Sequence, residues 1–487
     1  MTEKLVSFLK DSYTSAQARE NAKALLLENG FVKLAETEDW SVYEGGKYFV
    51  ERQSGSLIAF TVGSLDDFSY KIVASHTDSP ALKLKENPLI KSGAYATLNI
   101  ETYGGGIWYS FFDRPLKLAG QVIVKNGNTL RAETVASDFT VTIPSVAIHQ
   151  NRTANEGFSV NPQVALLPLI GIASEELGMK SVLEKLTDGE VVSYDLYLVN
   201  ATLPYTFGLN NEFLASPRID NLTSVYASLE SLLVVEEHSG ICVAACLDNE
   251  EVGSLTLQGA DGDFLENTLR RIAYALRFDD LEYYKALASS FLLSADNAHA
   301  VHPNHPEKAD PTNKAVLGGG VVIKSHANKA YITDALASAI VKTVFESAGV
   351  KYQYFFNRSD VRSGSTLGAS STRHLSLRGA DIGLAQLAMH SSVESIALAD
   401  YAEMVKGLTA FYQAPFRVTE DGDVVFRAIE PQPIEEEPSV EICEATAENE
   451  DYVQEEEEMN TDLEASEETD PDNEEFSDFF EDFSEEE

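Results

Sequence analysis

The sequence predicts an α/β fold, a sheet with helices on both faces, interrupted by an inserted mainly β segment and followed by a disordered acidic tail. Three observations predict it. Short continuous apolar runs end abruptly in polar clusters: Ile72 to Ala74 before Ser75-His76-Thr77-Asp78, Ile241 to Leu247 before Asp248-Asn249-Glu250-Glu251, and Phe291 to Leu293 before Ser294-Ala295-Asp296. Such runs alternate with helical patterns, as they do in a sheet covered on both faces, whose strands have no solvent side to alternate towards. Between about Asn87 and Phe207, by contrast, strand follows strand.

Each element has a local reason. Ser15 to Asn29 reads as a helix with Ala18, Ala22, Leu25 and Leu26 on one face and Gly30 placed to end it in a left-handed turn. Leu222 to Glu237 reads as a helix behind Asp220, and Thr333 to Ser347 as another that stops at Gly349. Within the β segment, Gln121 to Lys125 and Thr129 to Ala132 flank an Asn126-Gly127 hairpin turn, and Phe139 to Ile143 and Ser193 to Val199 continue the pattern. The expected organisation is a discontinuous domain over 1–86 and 208–430, an inserted β-rich domain over 87–207, and a tail over 431–487.

The chain has 487 residues and a formal net charge of -42. That charge excludes a basic nucleic-acid footprint and attraction to an anionic membrane surface. The tail holds 26 acidic and no basic residues, leaving the first 430 with 36 basic against 52 acidic. With so little apolar surface to offset ordering entropy, the tail is expected to be disordered. Phe476, Phe479, Phe480 and Phe483 nevertheless fall on one helical face, so a solvated appendage and a segment that folds into a partner's groove both stand open. Cys242, Cys246 and Cys443 are too few for a disulfide framework; no apolar run reaches the ~18 residues of a spanning helix, and the N-terminus has no signal-peptide pattern. A cytoplasmic protein is expected. Cys242 and Cys246 read as buried small hydrophobes, since no third and fourth ligand stands near enough to close a zinc site.

In open α/β sheets ligands sit beyond the strand ends, so the three polar clusters are expected to converge. His76 and Asp78 are two apart and share a face if the strand continues, which lets the carboxylate hold the far ring nitrogen of the histidine; a surface His-x-Asp is the plain alternative. In Glu250-Glu251, adjacent carboxylates point different ways, so one can bind a metal while the other takes a proton from water; an ordinary acidic turn is the alternative. Asp220 serves equally as a ligand or as the N-cap of the helix behind it. Asp296 and His390 complete a set suited to metal-assisted hydrolysis.

Taken in order, His76-Thr77-Asp78, Arg218-Ile219-Asp220-Asn221, Asp248-Asn249-Glu250-Glu251-Val252-Gly253-Ser254, Ser294-Ala295-Asp296-Asn297-Ala298-His299 and Gln386-Leu387-Ala388-Met389-His390-Ser391 resemble the aspartyl aminopeptidase family of di-zinc metallopeptidases, from about Leu5 to about Phe416. The tail lies outside the resemblance. The resemblance implies a zinc-exopeptidase-like fold whose inserted β domain makes dimer contacts, in a tetrahedral dodecamer. It implies that His76 and Asp296 bind one zinc ion, Glu251 and His390 a second, and that Asp220 bridges the two. Glu250 becomes the general base, Asp78 orients His76, and His149 reaches a neighbouring subunit's site. The implied reaction is removal of N-terminal Asp or Glu from peptides with a free amine, by attack of a water bridging the two ions. Lys324 is the candidate cation for the acidic side chain, and His299 and His302 are given structural or substrate-contact roles.

The sequence departs from the family at Ala385, where proline is usual, and in the Ser359-Asp360-Val361-Arg362-Ser363-Gly364 loop. These departures bear on selectivity. A related two-metal aminopeptidase or amidohydrolase of non-acidic specificity is therefore the alternative. A non-catalytic assembly that recruits partners through the tail is a further rival, against which the free carboxylate of Glu250 stands.

Overall fold

The computed structural model describes residues 2–52 and 55–426, so the expectations for the acidic tail, its phenylalanines and Cys443 lie outside the described residues. A nine-stranded mixed sheet organises the chain. Its centre is four parallel strands, in the order Ile241–Leu247, Tyr70–His76, Phe291–Ala295 and Arg378–Gly383. Ser56–Val62 flanks them on one side and Val321–Lys324 on the other, both antiparallel to their neighbours.

Every residue of Tyr70–His76 and Ile241–Leu247 is buried, because successive side chains enter two separate layers. Val73, Cys242, Ala244, Cys246 and Leu293 pack with the helices Ile219–Val234, Ala335–Ser347 and Leu398–Gln413. Ile72, Ala74, Val243, Ala245 and Leu292 pack against Phe264–Ala275 and Asp280–Ala288 on the opposite face. The apolar runs in the sequence are thus the strands of a doubly covered sheet. Cys242 and Cys246 are free thiols inside it, each pushed up to about 12 by burial.

The expected helices form with small shifts at their ends. Ser15–Glu28 stops before Gly30, whose φ of +79° is the left-handed conformation a glycine supplies without strain. Ala335–Ser347 starts one residue after Asp334, whose side chain caps it by accepting a hydrogen bond from Ala337 N at 2.7 Å. Ile219–Val234 begins earlier than Leu222, but Asp220 and Asn221 inside its first turn have non-helical backbones.

Two further sheets stand at the strand ends. An all-antiparallel six-stranded sheet runs Thr129–Val141, Leu116–Asn126, Glu190–Asn200, Ala81–Ser92, Tyr95–Tyr103, Leu169–Ile172. The Asn126-Gly127 turn falls where the sequence puts it, with Gly127 at φ +59°. The chain enters this sheet at Ala81, straight from the end of Tyr70–His76, and not near Asn87. A five-stranded sheet of two- to four-residue strands joins Tyr205–Phe207, Phe213–Ser216, Glu394–Ala397, Ala385–Leu387 and Ala298–His299. It lies beside the ends of the parallel strands.

One close approach fixes the strand ends. A Cβ on Gly383 would lie 1.9 Å from the carbonyl oxygen of Asp296, and Asp296 N donates to Ile382 O at 2.9 Å. Gly383→Ala should therefore push the Asp296 segment off its neighbour. A lower thermal midpoint and a lower zinc content in the purified variant are the expected outcomes; wild-type values for both would show that the packing there yields freely.

Candidate metal centre

His76 is the last residue of its strand, and Asp296 follows the end of Phe291–Ala295. Asp220 is delivered between them by Arg218, which takes a left-handed backbone at φ 60°. Glu250 and Glu251 sit in a single tight turn, Glu250–Val252, that Asn249 starts in the same conformation at φ 65°. His390 arrives on a turn in which it and Ala388 are also left-handed, at φ 65° and 56°. Non-glycine residues persist in that conformation only where their surroundings over-determine them, and they gather at functional sites.

These residues form two groups with one member in common. His76, Asp220 and Asp296 place one ligand atom each within 4.8 Å of one another, and so do Asp220, Glu251 and His390. In the first group, His76 Nε2 stands 3.3 Å from Asp220 Oδ1 and 3.6 Å from Asp296 Oδ1. In the second, His390 Nε2 stands 3.5 Å from Asp220 Oδ2 and 3.3 Å from Glu251 Oε1. Ligand atoms about 2.0–2.2 Å from one tetrahedral zinc lie about 3.3–3.6 Å apart, which is the spacing seen here. Asp220 Oδ1 and Glu251 Oε1 are buried and accept no hydrogen bond among the described residues, although a histidine nitrogen is 3.3 Å from each. The atoms converge on shared points instead of bonding to one another, and the donor set fits zinc.

Two further carboxylates hold the groups without joining them. Asp78 Oδ1 lies 3.4 Å from His76 Nδ1, whose nearer neighbour is the Asp78 carbonyl oxygen at 3.0 Å. The same carboxylate accepts from Glu250 N and Glu251 N at 3.1 Å each and from the Tyr103 hydroxyl at 2.7 Å. Asp78 thus organises the Glu-Glu turn as well as the histidine, and the surface His-x-Asp alternative is excluded by its burial. Glu394 accepts from His390 N at 2.7 Å and from Asp220 N at 3.0 Å. The N-cap alternative for Asp220 falls too, because its two oxygens face His76 and His390.

Electrostatics follow from crowding acids out of water. Glu250 is pushed up to about 8, first by its removal from solvent and then by Asp296, Asp78 and Asp220, against the opposing pull of His76. Glu251 is raised well above the ordinary carboxylate range, again by burial first. Burial acts to raise Asp220 as well, but the neighbouring His390 and His76 outweigh it and the group ends far below its usual value. His390 goes up to about 10 despite burial, held by Asp220 and Glu251. His76 rises in the same sense against its burial, through Asp220, Asp296 and Asp78. Without metal, both histidines are thus driven towards their protonated form.

Lys324, at the end of Val321–Lys324, is buried; its Nζ donates to Asn297 O at 3.0 Å, lies 3.9 Å from Asp296 Oδ2, and stands 5.1 Å from the centre of the Tyr331 ring. His149 is exposed on the loop after Thr129–Val141 and joins neither group within this chain. His299 and His302 are exposed beyond Asp296 and are not members of the groups either. Glu394 and Tyr103 were not expected from the sequence. An acid four residues after His390 is the one trace Glu394 leaves, while nothing in the sequence around Tyr103 marks it.

Two histidines and buried carboxylates clustered at the ends of parallel strands in an α/β sheet define a metal-dependent hydrolase. Residues 8–412 match the family model described as aminopeptidase I zinc metalloprotease (M18). A probable M18 family aminopeptidase 2 of Clostridium acetobutylicum is 40% identical over 84% of this chain and 98% of its own length. The similarly described protein of Clostridium novyi is 39% identical over 84% and 97%. Among solved structures, Ape4, determined in a complex with Nbr1, superposes with a TM-score of 0.80 at 32% identity, covering 84% of this chain and 85% of that one. The chain belongs to the M18 family of zinc aminopeptidases. No helix among the described residues is long and apolar enough to cross a membrane.

Because metal must displace those protons, loading metal-free protein with zinc at pH 7 should release protons. Calorimetric titration in buffers of different ionisation enthalpy should give apparent heats that change with the buffer. Heats independent of buffer would mean the histidines are neutral before zinc binds.

Proposed function

We propose that the chain removes N-terminal residues, preferentially Asp or Glu, from peptides with a free N-terminus, using two zinc ions and Glu250 as the general base. The observation that carries the reading is the Glu250-Glu251 turn. Glu251 is a member of the second group, whereas Glu250, on the same turn, belongs to neither although its carboxyl feels the charges of His76, Asp296 and Asp220. When bound, zinc supplies Lewis-acid activation of a water and of the scissile carbonyl. Glu250 then takes the proton of the attacking water on its carboxylate and delivers it to the leaving amine. Asp78 fixes the position of that carboxylate through the backbone N–H of Glu250 and fixes the His76 ring from behind.

The acidic preference is assigned to Lys324. One of its three donors is engaged with Asn297 O, next to Asp296, so it holds that loop and still carries positive potential to the edge of the first group. The second reading, a non-acidic specificity, is favoured by the same observation, since a buried and already engaged ammonium has less to offer a substrate. His149, exposed here, is assigned to a neighbouring subunit's site in a dodecamer. Exposed Val146, Ile148, Phe158, Val164 and Ile172 on the β segment supply apolar surface for such contacts. A cytoplasmic location is part of the proposal and rests on the free, buried thiols of Cys242 and Cys246.

The test is hydrolysis of Asp-, Glu- and Leu-terminated chromogenic amides by wild type and Glu250→Gln, with and without a chelator. Wild type should cleave the acidic substrates only, and the chelator should stop it. Glu250→Gln should be slower by about 10²-fold or more at unchanged zinc content. Equal cleavage of the Leu amide would move the assignment to the second reading, and an active Glu250→Gln would remove Glu250 as the base.

A further inference from the structure

We propose that Glu394 is a positioning residue that sets the affinity of the ion bound by Asp220, Glu251 and His390. The inference rests on the two-ion reading above. Glu394 is 2% exposed and is a member of neither ligand group. Its two carboxylate oxygens serve different partners, with Oε1 accepting from His390 N at 2.7 Å and Oε2 from Asp220 N at 3.0 Å. One side chain therefore ties together two segments far apart in sequence that carry two of the second group's three ligands.

Strand pairing delivers it there. Glu394 opens the strand Glu394–Ala397 and pairs with Ser216, the last residue of Phe213–Ser216, at the point where Pro217-Arg218-Ile219 leaves the sheet towards Asp220. Both tied segments carry the left-handed non-glycine residues already described: Arg218 on one side, Ala388 and His390 on the other. Such backbones relax unless they are held, and a double-accepting carboxylate is what holds them here. His390 has a second tether, since its Nδ1 lies 3.0 Å from Gly105 O; for Asp220 N, the Glu394 carboxylate is the acceptor.

The chemistry of the side chain matters more than its volume. Glutamine has nearly the same shape but a single acceptor oxygen, and its amide N–H would face an N–H donor. Aspartate keeps the charge but is one methylene too short to reach both partners. A residue that merely filled space would be replaced by glutamine without consequence to metal binding.

The experiment titrates zinc into the metal-free full-length protein against a chromophoric chelator, for wild type and Glu394→Gln, with circular dichroism to establish that each is folded. Wild type should bind two ions tightly. Glu394→Gln should bind the ion of Asp220, Glu251 and His390 about ten- to a hundredfold more weakly, and the other ion, which shares only Asp220, less weakened than that. Its activity should be low at limiting zinc and recover at excess zinc, which a loss of folding would not allow. Folded Glu394→Gln that binds both ions as wild type does, or that weakens both equally, would overturn the proposal. If wild type binds fewer than two ions, the two-ion reading fails first and this inference falls with it. Should Glu394→Gln not fold, Glu394→Asp substitutes for it: selective weakening of one ion is again the expected result, and unchanged affinity for both overturns the proposal.

Discussion

The structure turns on one carboxylate. Asp220 is buried, and its two oxygens face two different histidines, His76 on one side and His390 on the other. Taking several acids out of water is costly unless positive charge meets them, and two of the oxygens involved accept no hydrogen bond among the described residues. A cation at each focus, as proposed, would answer that deficit. The shape of the surrounding loops follows from the need to aim side chains from five separate stretches of chain at two points. Left-handed Arg218, Asn249, Ala388 and His390 are the local strain that this aiming requires.

The rest of the fold supplies rigidity for that aim. The parallel strands end in His76 and just before Asp296, and burial of every residue in Tyr70–His76 fixes the height of the first histidine. The six-stranded sheet is not remote from the chemistry. Its strand Tyr95–Tyr103 brings the Tyr103 hydroxyl to Asp78, and the turn beyond it brings Gly105 O to His390 Nδ1. The five-stranded sheet contributes Glu394 in turn. Two of the carboxylates, Asp78 and Glu394, accept from backbone N–H groups of Glu250, Glu251, His390 and Asp220, which is how neighbours of a metal group would tune it without touching the metal.

How much of this was legible in the sequence depends on whether the signal was local. The strand-end residues His76, Glu250, Glu251 and Asp296 were, because each follows a continuous apolar run that only a doubly covered strand explains. Asp220 is ambiguous in the sequence: an acid before an apolar helical pattern looks the same as an N-cap, and only the histidines its oxygens face separate the two. His390 follows no such run, so the residues alone make it a weak candidate and the resemblance strengthens it. Glu394 was missed because strands of two to four residues carry no periodicity, and their pairing partners are distant in the chain. The six-stranded sheet begins at Ala81, a few residues before the expected start near Asn87, and Ala81–Ser92 contains Glu86-Asn87-Pro88. In the structure that stretch is accommodated by a register shift between Leu84 and Leu89 within one continuous strand.

The measurement that bears most directly on the account is the zinc content per subunit of wild type and Asp220→Asn, by elemental analysis of purified, folded protein. Two ions in the wild type, with a loss from both groups in the variant, is the result predicted for a shared ligand. A single ion in the wild type, or an undiminished content in Asp220→Asn, would contradict it.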